Sequence, residues 1–343
     1  MPATSSTSAN PAMNTAEQER RIEAILRGFL PDGETITRVH KIGDGHSNDT
    51  YLLEGIDCIL RAAPESGGLM PDYDIERQYR ILDSVGGVPT GPPVPEVFAL
   101  CTDLSVLGRP FFLMRRCRGG STDWKAPEWM QAGGDDLRRQ LSQRWIGAIA
   151  QIHDLPVDCI GKPVRTVADE AQYWLGLATD SRAPSEVIDI LEDIATNPPP
   201  PSGPATCVHG DPKFANFLWT DQGDLTAVLD WEFSHIGEPL VDLGYLLGLW
   251  PAYPDESGQM PYTALSGWWS RKQIIAEWES ATGRTASEIG RYELLGMAQI
   301  AAIFARGIDL HQTGRNTDVR LSRWERSLEN WLENIRRRTE TTE

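Results

Sequence analysis

The run His209-Gly210-Asp211-Pro212-Lys213-Phe214-Ala215-Asn216, with Asp230-Trp231-Glu232 beginning fourteen residues after Asn216, holds the chain's most pointed chemistry. It sets a carboxylate, an amide oxygen and a second carboxylate within twenty-two residues. Between Asn216 and Asp230, Phe217-Leu218-Trp219-Thr220, Asp221-Gln222-Gly223-Asp224 and Leu225-Thr226-Ala227-Val228-Leu229 read as apolar strand, turn and apolar strand. Asn216 and Asp230 each lie seven residues from Gly223, so a hairpin folded there brings both side chains to its open end. Two hard oxygen ligands in that position suit Mg2+, which takes few protein ligands and completes its octahedron with water and phosphate oxygens. Asp211, five residues before Asn216, would stand beside the metal. That is the layout of a phosphoryl-transfer site.

The elements that must carry these residues divide the chain in two. Apolar alternation marks strands at 36–42, 50–53, 58–61, 96–100 and 111–115, and Ile75, Gln78, Tyr79 and Leu82 mark one face of a helix over 73–85. Ile22, Ile25, Leu26, Phe29 and Leu30 mark an amphipathic helix ahead of them, over 17–30. Past the break at Arg118-Gly119-Gly120, helices dominate apart from the hairpin. The expected architecture is α+β and bilobal: a tail over 1–15, a small β-rich lobe over 16–118 and a larger, mainly helical lobe over 119–338. The late tryptophans Trp268, Trp269, Trp278, Trp324 and Trp331 recur at helical spacing and read as core.

Composition narrows the classes of function. The 343 residues are 40% hydrophobic and 24% charged, with no apolar stretch approaching the ~18 residues of a membrane span. A net charge of -17 argues against nucleic acid, whose phosphates call for Lys and Arg clusters. An acidic surface suits a cationic substrate, and it equally serves solubility alone. The five cysteines stand singly without a CxxC pair, which fits reduced thiols in a cytoplasmic protein.

The segments VHGDPKFANFLW and AVLDWEFSHIGEPLVDLGYLL resemble the aminoglycoside phosphotransferase family, whose protein-kinase-like fold and site are shared with choline kinases. Within it the chain most resembles the kinase-like domains found alone or joined to acyl-CoA dehydrogenases. IGDGHSNDTYLL, CILRAAP, DIERQYRIL and VFALCTDLSVLGRPFFLMRRCRGG extend the resemblance over roughly residues 36–250. It implies an ATP- and Mg2+-dependent transfer of the γ-phosphate to a hydroxyl of a small molecule. Asp211 would then accept or orient that hydroxyl, and Asn216 and Asp230 would hold Mg2+. Because a carboxylate is a weak base toward an alcohol, positioning and late proton acceptance fit Asp211 better than full deprotonation before attack. Lys213, in Asp-x-Lys-x-x-Asn, resembles the lysine that approaches the γ-phosphate in Ser/Thr protein kinases; a solvent-facing loop lysine is the competing reading. His209 reads as a brace for the loop, and Asp242 resembles the family's buried aspartate beneath it.

In the first lobe the resemblance implies a phosphate loop at Gly43, Gly45 and Ser47, with glycines that let backbone N–H groups approach the phosphates. It is neither a Walker A loop nor a full GxGxxG. Arg61 stands where kinases place a phosphate-binding lysine; it keeps the charge and can fork onto phosphate oxygens. Its helix partner is Gln78, or Glu76 after a helix shift. Met114 would back the adenine pocket, with Arg116 and Cys117 in the hinge between lobes. The departures at Arg61 and Gln78 leave a nucleotide-binding pseudokinase or regulatory module as the alternative. A metal-dependent hydrolase using His209, Asp211, Asp230 and His235 is a weaker rival, since no HxxxH pair exists. A protein kinase is disfavoured by Asp230-Trp231-Glu232 in place of Asp-Phe-Gly. The acceptor would meet segments near 121–135, 165–200 and 250–310. There Trp250, Tyr253, Trp268 and Trp269 suggest an apolar pocket for an acyl or aromatic alcohol, and acidic residues would suit amines.

Overall fold

The computed structural model describes residues 36–42, 47–65, 68–71, 73–122, 125–252 and 260–342, together with residues 20, 22–24 and 26. Five strands form one antiparallel sheet: β1 (Arg38–Ile42), β2 (Asp49–Glu54), β3 (Cys58–Ala62), β4 (Val97–Cys101) and β5 (Phe111–Arg115), in the order β1-β2-β3-β5-β4. Successive side chains point to opposite faces of a strand, and the two faces bury different partners. Tyr51, Leu53, Cys58, Leu60, Phe111 and Leu113 pack with Ile22 and Leu26 of the N-terminal segment. Leu52, Ile59, Phe112 and Met114 join the core that runs into the second lobe. Arg61 lies two residues after Ile59 and therefore shares the interlobe face.

Helix α1 (Ile75–Gly86) starts where the Asp74 carboxylate accepts the Arg77 backbone N–H, 2.8 Å away. Such a cap satisfies one of the orphan donors of the first turn. Ile75, Gln78, Leu82 and Val85 are buried at three- and four-residue spacing against the sheet, so Gln78 points inward. Glu76 is half-buried and pairs with Arg80 one turn on. The expected strands and this helix stand within one or two residues of their sequence bounds. Much of the segment over 17–30 lies outside the described residues, as does the tail.

The second lobe is helical around a buried axis. After α2 (Leu104–Leu107) and α3 (Glu128–Ala132) come α4 (Gly134–His153), α5 (Val167–Asp180), α6 (Ser185–Thr196), α7 (Leu240–Leu249), α8 (Arg271–Thr282), α9 (Ile289–Gln312) and α10 (Trp324–Thr342). Every residue of α7 is buried, so it is a core helix with no solvent stripe. It crosses α9 closely: a Cβ on Gly244 would meet the Tyr292 backbone at 2.4 Å. Four short strands carry the loops of interest: β6 (Thr206–Val208) pairs with β9 (His235–Gly237), and β7 (Phe217–Trp219) with β8 (Leu225–Val228). Trp278 and Trp331 are buried as core residues. All five cysteines are free thiols. No helix among the described residues is long and apolar enough to cross a membrane.

Candidate active site

The loop from β6 to β7 is held by a buried carboxylate beneath it. Asp242, fully buried in the first turn of α7, accepts the backbone N–H groups of His209 and Gly210, each at 2.8 Å. A third contact, His153 Nε2 at 3.0 Å, completes its shell. Burial pushes the Asp242 carboxyl upward, but His153, His209 and these hydrogen bonds outweigh it and hold it below its ordinary value. Gly210 makes the turn with φ +83, and a Cβ there would sit 2.6 Å from the Phe233 carbonyl oxygen. Gln299 of α9 donates to the Gly210 carbonyl at 2.8 Å. The His209 ring spans from the Asp211 backbone N–H (3.2 Å to Nδ1) to the Leu229 carbonyl (2.9 Å from Nε2). Both nitrogens are thereby used in bracing, which ties the loop to the end of the hairpin.

Asp211 is buried at 4% exposure with both oxygens engaged. Tyr245 Oη donates to Oδ1 at 2.6 Å, while Lys213 Nζ (2.7 Å) and Asn216 Nδ2 (3.0 Å) donate to Oδ2. Three donors of this kind fix the carboxylate's orientation. Lys213 is thus turned to Asp211 rather than to open solvent, although its side chain keeps 38% exposure. Tyr245 has no counterpart among the sequence candidates. Its signal is its place three residues after Asp242 on α7, one turn along the same face.

The hairpin folds as its spacing suggests, with one change of register. Phe217 pairs with Val228 and Leu218 with Ala227, and the Leu229 N–H reaches the Asn216 carbonyl at 2.8 Å. Asn216 therefore lies opposite Leu229, not Asp230. Asp230 takes a left-handed conformation, φ 67 and ψ 55, which turns the chain at the strand's end. Asn216 commits its Nδ2 to the Asp211 carbonyl (2.8 Å) and carboxylate (3.0 Å), leaving Oδ1 as its ligand-capable atom. Asp230 accepts a hydrogen bond from Arg61 on Oδ1, and its Oδ2 has no donor among the described residues. Burial pushes the Asp230 carboxyl up, yet Arg61, with Lys213 and His209, holds it below its ordinary value. An amide oxygen and an ionised carboxylate oxygen form a donor set that fits Mg2+. Among the described residues no group of three or more His, Cys, Asp or Glu gathers to hold a metal. His235 instead stands 3.8 Å from Glu170.

Across the interlobe face, Arg61 donates from Nε to Gln78 Oε1 at 3.1 Å and from its fork to Asp230. Gln78, not Glu76, is its helix partner. Ser47 Oγ donates to Glu232 Oε1 at 2.8 Å, and Asn48 Nδ2 to Glu232 Oε2 at 3.0 Å. Gly43 and Gly45 lie outside the described residues. Burial first, and then the Asp230 charge, push the Glu232 carboxyl up to about 8. Met114, with Phe112, Leu82, Pro95 and Leu229, lines a narrow cavity running back from Arg61 and Asp230. At the expected hinge, the Arg116 backbone N–H bonds the Asp57 carbonyl while its side chain turns outward to the Asp57 carboxylate. Cys117 is half-buried, and desolvation raises its thiol.

A wider cleft of about 450 Å³ opens elsewhere, between Arg118–Gly120, Trp129 and the closed end of the hairpin at Thr220–Gln222. Of the tryptophans expected to line an acceptor pocket, Trp250 and Trp268 pack behind the loop between β6 and β7, and Trp268 and Trp269 stay partly exposed. Trp250 is only 4% exposed, bonds the Trp269 carbonyl at 3.1 Å and meets Trp145 at a tilt and Trp268 edge-on. Trp268 meets Phe214 edge-on at 5.6 Å. Aromatic area is spent here on holding the loop, and Trp145 Nε1 adds a bond to the Pro212 carbonyl at 3.2 Å. Tyr253 lies outside the described residues.

A carboxylate cradled by lysine, asparagine and tyrosine, facing an amide–carboxylate pair below a five-stranded lobe, defines a bilobal, protein-kinase-like phosphotransferase fold. Residues 38–282 match the model of the phosphotransferase enzyme family, and the chain belongs to that family. It is 31% identical over 238 residues to acyl-CoA dehydrogenase family member 10 of Mus musculus, covering 65% of this chain and 21% of that one. With acyl-CoA dehydrogenase family member 11 of Gallus gallus it is 29% identical over 277 residues, covering 75% and 34%. The chain thus spans between about a fifth and a third of the length of these curated relatives. A Ralstonia eutropha protein provisionally assigned as an aminoglycoside phosphotransferase shares the fold at TM-score 0.69 and 24% identity, covering 93% of this chain and 98% of that one. The GDP and kanamycin complex of APH(2")-IIia shares it at TM-score 0.61 and 17% identity, covering 91% and 98%.

Proposed function

We propose that this protein transfers the γ-phosphate of ATP to a hydroxyl group of a small molecule, with Mg2+ as the metal. The observation that carries this reading is Asp211, a buried carboxylate fixed by Tyr245, Lys213 and Asn216, with the metal-compatible Asn216–Asp230 pair adjoining it. The acceptor oxygen forms its bond to the γ-phosphorus as the bond to the β,γ-bridging oxygen breaks, and ADP leaves. Asp211 orients the hydroxyl and takes its proton late, which suits a weak base and a loose transition state. Lys213, already on Asp211, is placed to steady charge as it grows on the transferred group. Arg61 supplies the first lobe's fixed positive charge to the phosphates, and Met114, Arg116 and Cys117 frame the adenine side. Bound at Asn216 and Asp230, Mg2+ would neutralise the phosphate oxygens. The likeness to chains named as acyl-CoA dehydrogenase family members favours an acyl alcohol as acceptor.

ATP and Mg2+ incubated with a library of small hydroxyl compounds should yield a phosphorylated product. Asp211→Ala should lower that rate about 10²–10⁴-fold, the usual worth of a positioned acid–base group, while nucleotide still binds. Full turnover by Asp211→Ala would refute the assignment. The direct Arg61–Asp230 ion pair favours a second reading, a nucleotide-binding regulatory module without turnover. Any phosphorylated product removes it.

A further inference from the structure

Arg77 belongs to none of the roles above, yet it fastens the first lobe's helix to the second lobe. From the first turn of α1 its Nε donates to the Lys162 carbonyl at 2.7 Å. Its fork donates to the Ser234 carbonyl and, at 3.2 Å, to Ser234 Oγ. These acceptors are all neutral. An arginine always carries its charge and presents five N–H donors in a fixed fork, and here the fork binds two backbone segments at once. The receiving surface is itself one hydrogen-bonded unit. The Ile236 N–H bonds the Pro163 carbonyl at 2.9 Å, the Arg165 N–H bonds the Ile236 carbonyl at 2.8 Å, and Ser234 Oγ donates to the Trp231 carbonyl at 2.7 Å. The next residue of the helix, Gln78, is 3% exposed and accepts from Arg61 Nε at 3.1 Å, while Arg61 reaches Asp230. Two consecutive residues of α1 therefore grip both ends of the 230–234 segment, one through Arg61 and one directly.

We infer that Arg77 is a positioning residue: by tying α1 to the second lobe it sets where Gln78 holds the Arg61 guanidinium, and so how firmly the protein grips a nucleotide's phosphates. The inference rests on the proposed nucleotide site and deepens it, giving the phosphate-binding arginine its anchor. Phosphate oxygens that take the Arg61 fork draw it from Asp230, and the Gln78 bond to Nε then remains to aim it. Charge-assisted forked bonds depend on alignment. A helix freed to shift would loosen the hold on the phosphates and spare the adenine side, where Met114 lies on β5 rather than α1.

The test measures binding of MgATP and of adenosine by calorimetry, alongside amide hydrogen exchange of the nucleotide-free protein. Arg77→Lys keeps the charge and loses the fork, and Arg77→Gln, which drops the charge, is the second variant should the first fold poorly. Either should weaken MgATP about tenfold and leave adenosine within about twofold of wild type. Exchange across 75–86 should quicken several-fold, with that of 134–153 unchanged. In an Arg61→Ala background the same substitution should alter MgATP binding by less than about twofold, since residues that act through one another are not additive. A merely structural role would weaken MgATP and adenosine alike, or add its full loss to that of Arg61→Ala, and either result overturns the inference. Unchanged exchange across 75–86 overturns it as well. Wild type that binds neither ligand defeats the nucleotide reading and this inference with it, and faster exchange at 75–86 would then leave Arg77 as a tether between the lobes alone.

Discussion

Asp242 illustrates how much of the candidate site depends on a carboxylate buried beneath it. Its two oxygens each receive a backbone N–H of the loop between β6 and β7, and His153, itself bonded by Trp278 at 3.0 Å, holds it from the other side. Asp242→Asn sets an amide N–H2 against one of those donors, and breaking such a buried charged network costs about 3 kcal/mol. Urea unfolding at neutral pH should show that loss. Because the folded carboxyl lies below its unfolded value of about 4, the stability it supplies is complete above that pH. It drains away as pH falls through the folded value, so acid sensitivity below pH ~4 should lessen in the variant. Asp49, held down by Lys41 and Arg109 despite burial, works in the same direction. Residue by residue, the acidic and amide candidates were legible because their types and order carry the chemistry. Tyr245 and the contacts of Glu232 with Ser47 and Asn48 were not, since a tyrosine on an apolar helix and a glutamate after a tryptophan show no partner until the chain is folded.

The hairpin and the α7–α9 crossing show what element geometry adds. Counting from Gly223 predicts that Asn216 and Asp230 meet, and they do share the open end. The pairing nevertheless runs Asn216 to Leu229, with a register irregularity between Leu218 and Trp219 and a left-handed Asp230. Equal counting cannot foresee an irregularity or a positive φ, because neither alters the apolar pattern. Strand alternation was more informative: it put Arg61 on the interlobe face, and three-residue spacing put Gln78 inward and Glu76 out. Helix crossing distance was hidden in the sequence as an unremarked glycine. At Gly244, alanine would press on the Tyr292 backbone 2.4 Å away and push α7 from α9. Overpacking of this kind costs typically 1–3 kcal/mol. Gly244→Ala should unfold at lower temperature in calorimetry and weaken phosphotransfer together, since α7 carries both Asp242 and Tyr245.

Around the site, polar contacts join the two lobes alongside the apolar core that runs between them. Arg61 reaches Asp230, Ser47 and Asn48 reach Glu232, and Arg77 of α1 reaches the Lys162 and Ser234 carbonyls beyond the hairpin. At the far side Arg306 of α9 reaches the Leu69 carbonyl at 3.3 Å. The bilobal α+β organisation was readable because a strand-rich third followed by helices leaves few alternatives. Trp250 is buried beneath the loop between β6 and β7, a place the sequence does not mark, because burial against a loop and lining a cleft demand the same residue types. All of these contacts converge on whether Asn216 and Asp230 hold a divalent ion with nucleotide. Electron paramagnetic resonance of Mn2+ titrated with ATP into wild type and Asp230→Asn tests that most directly. Wild type should retain protein-bound Mn2+ only when ATP is present, and Asp230→Asn should lose at least tenfold in that retention. Equal retention by the two proteins would contradict the assignment of the site.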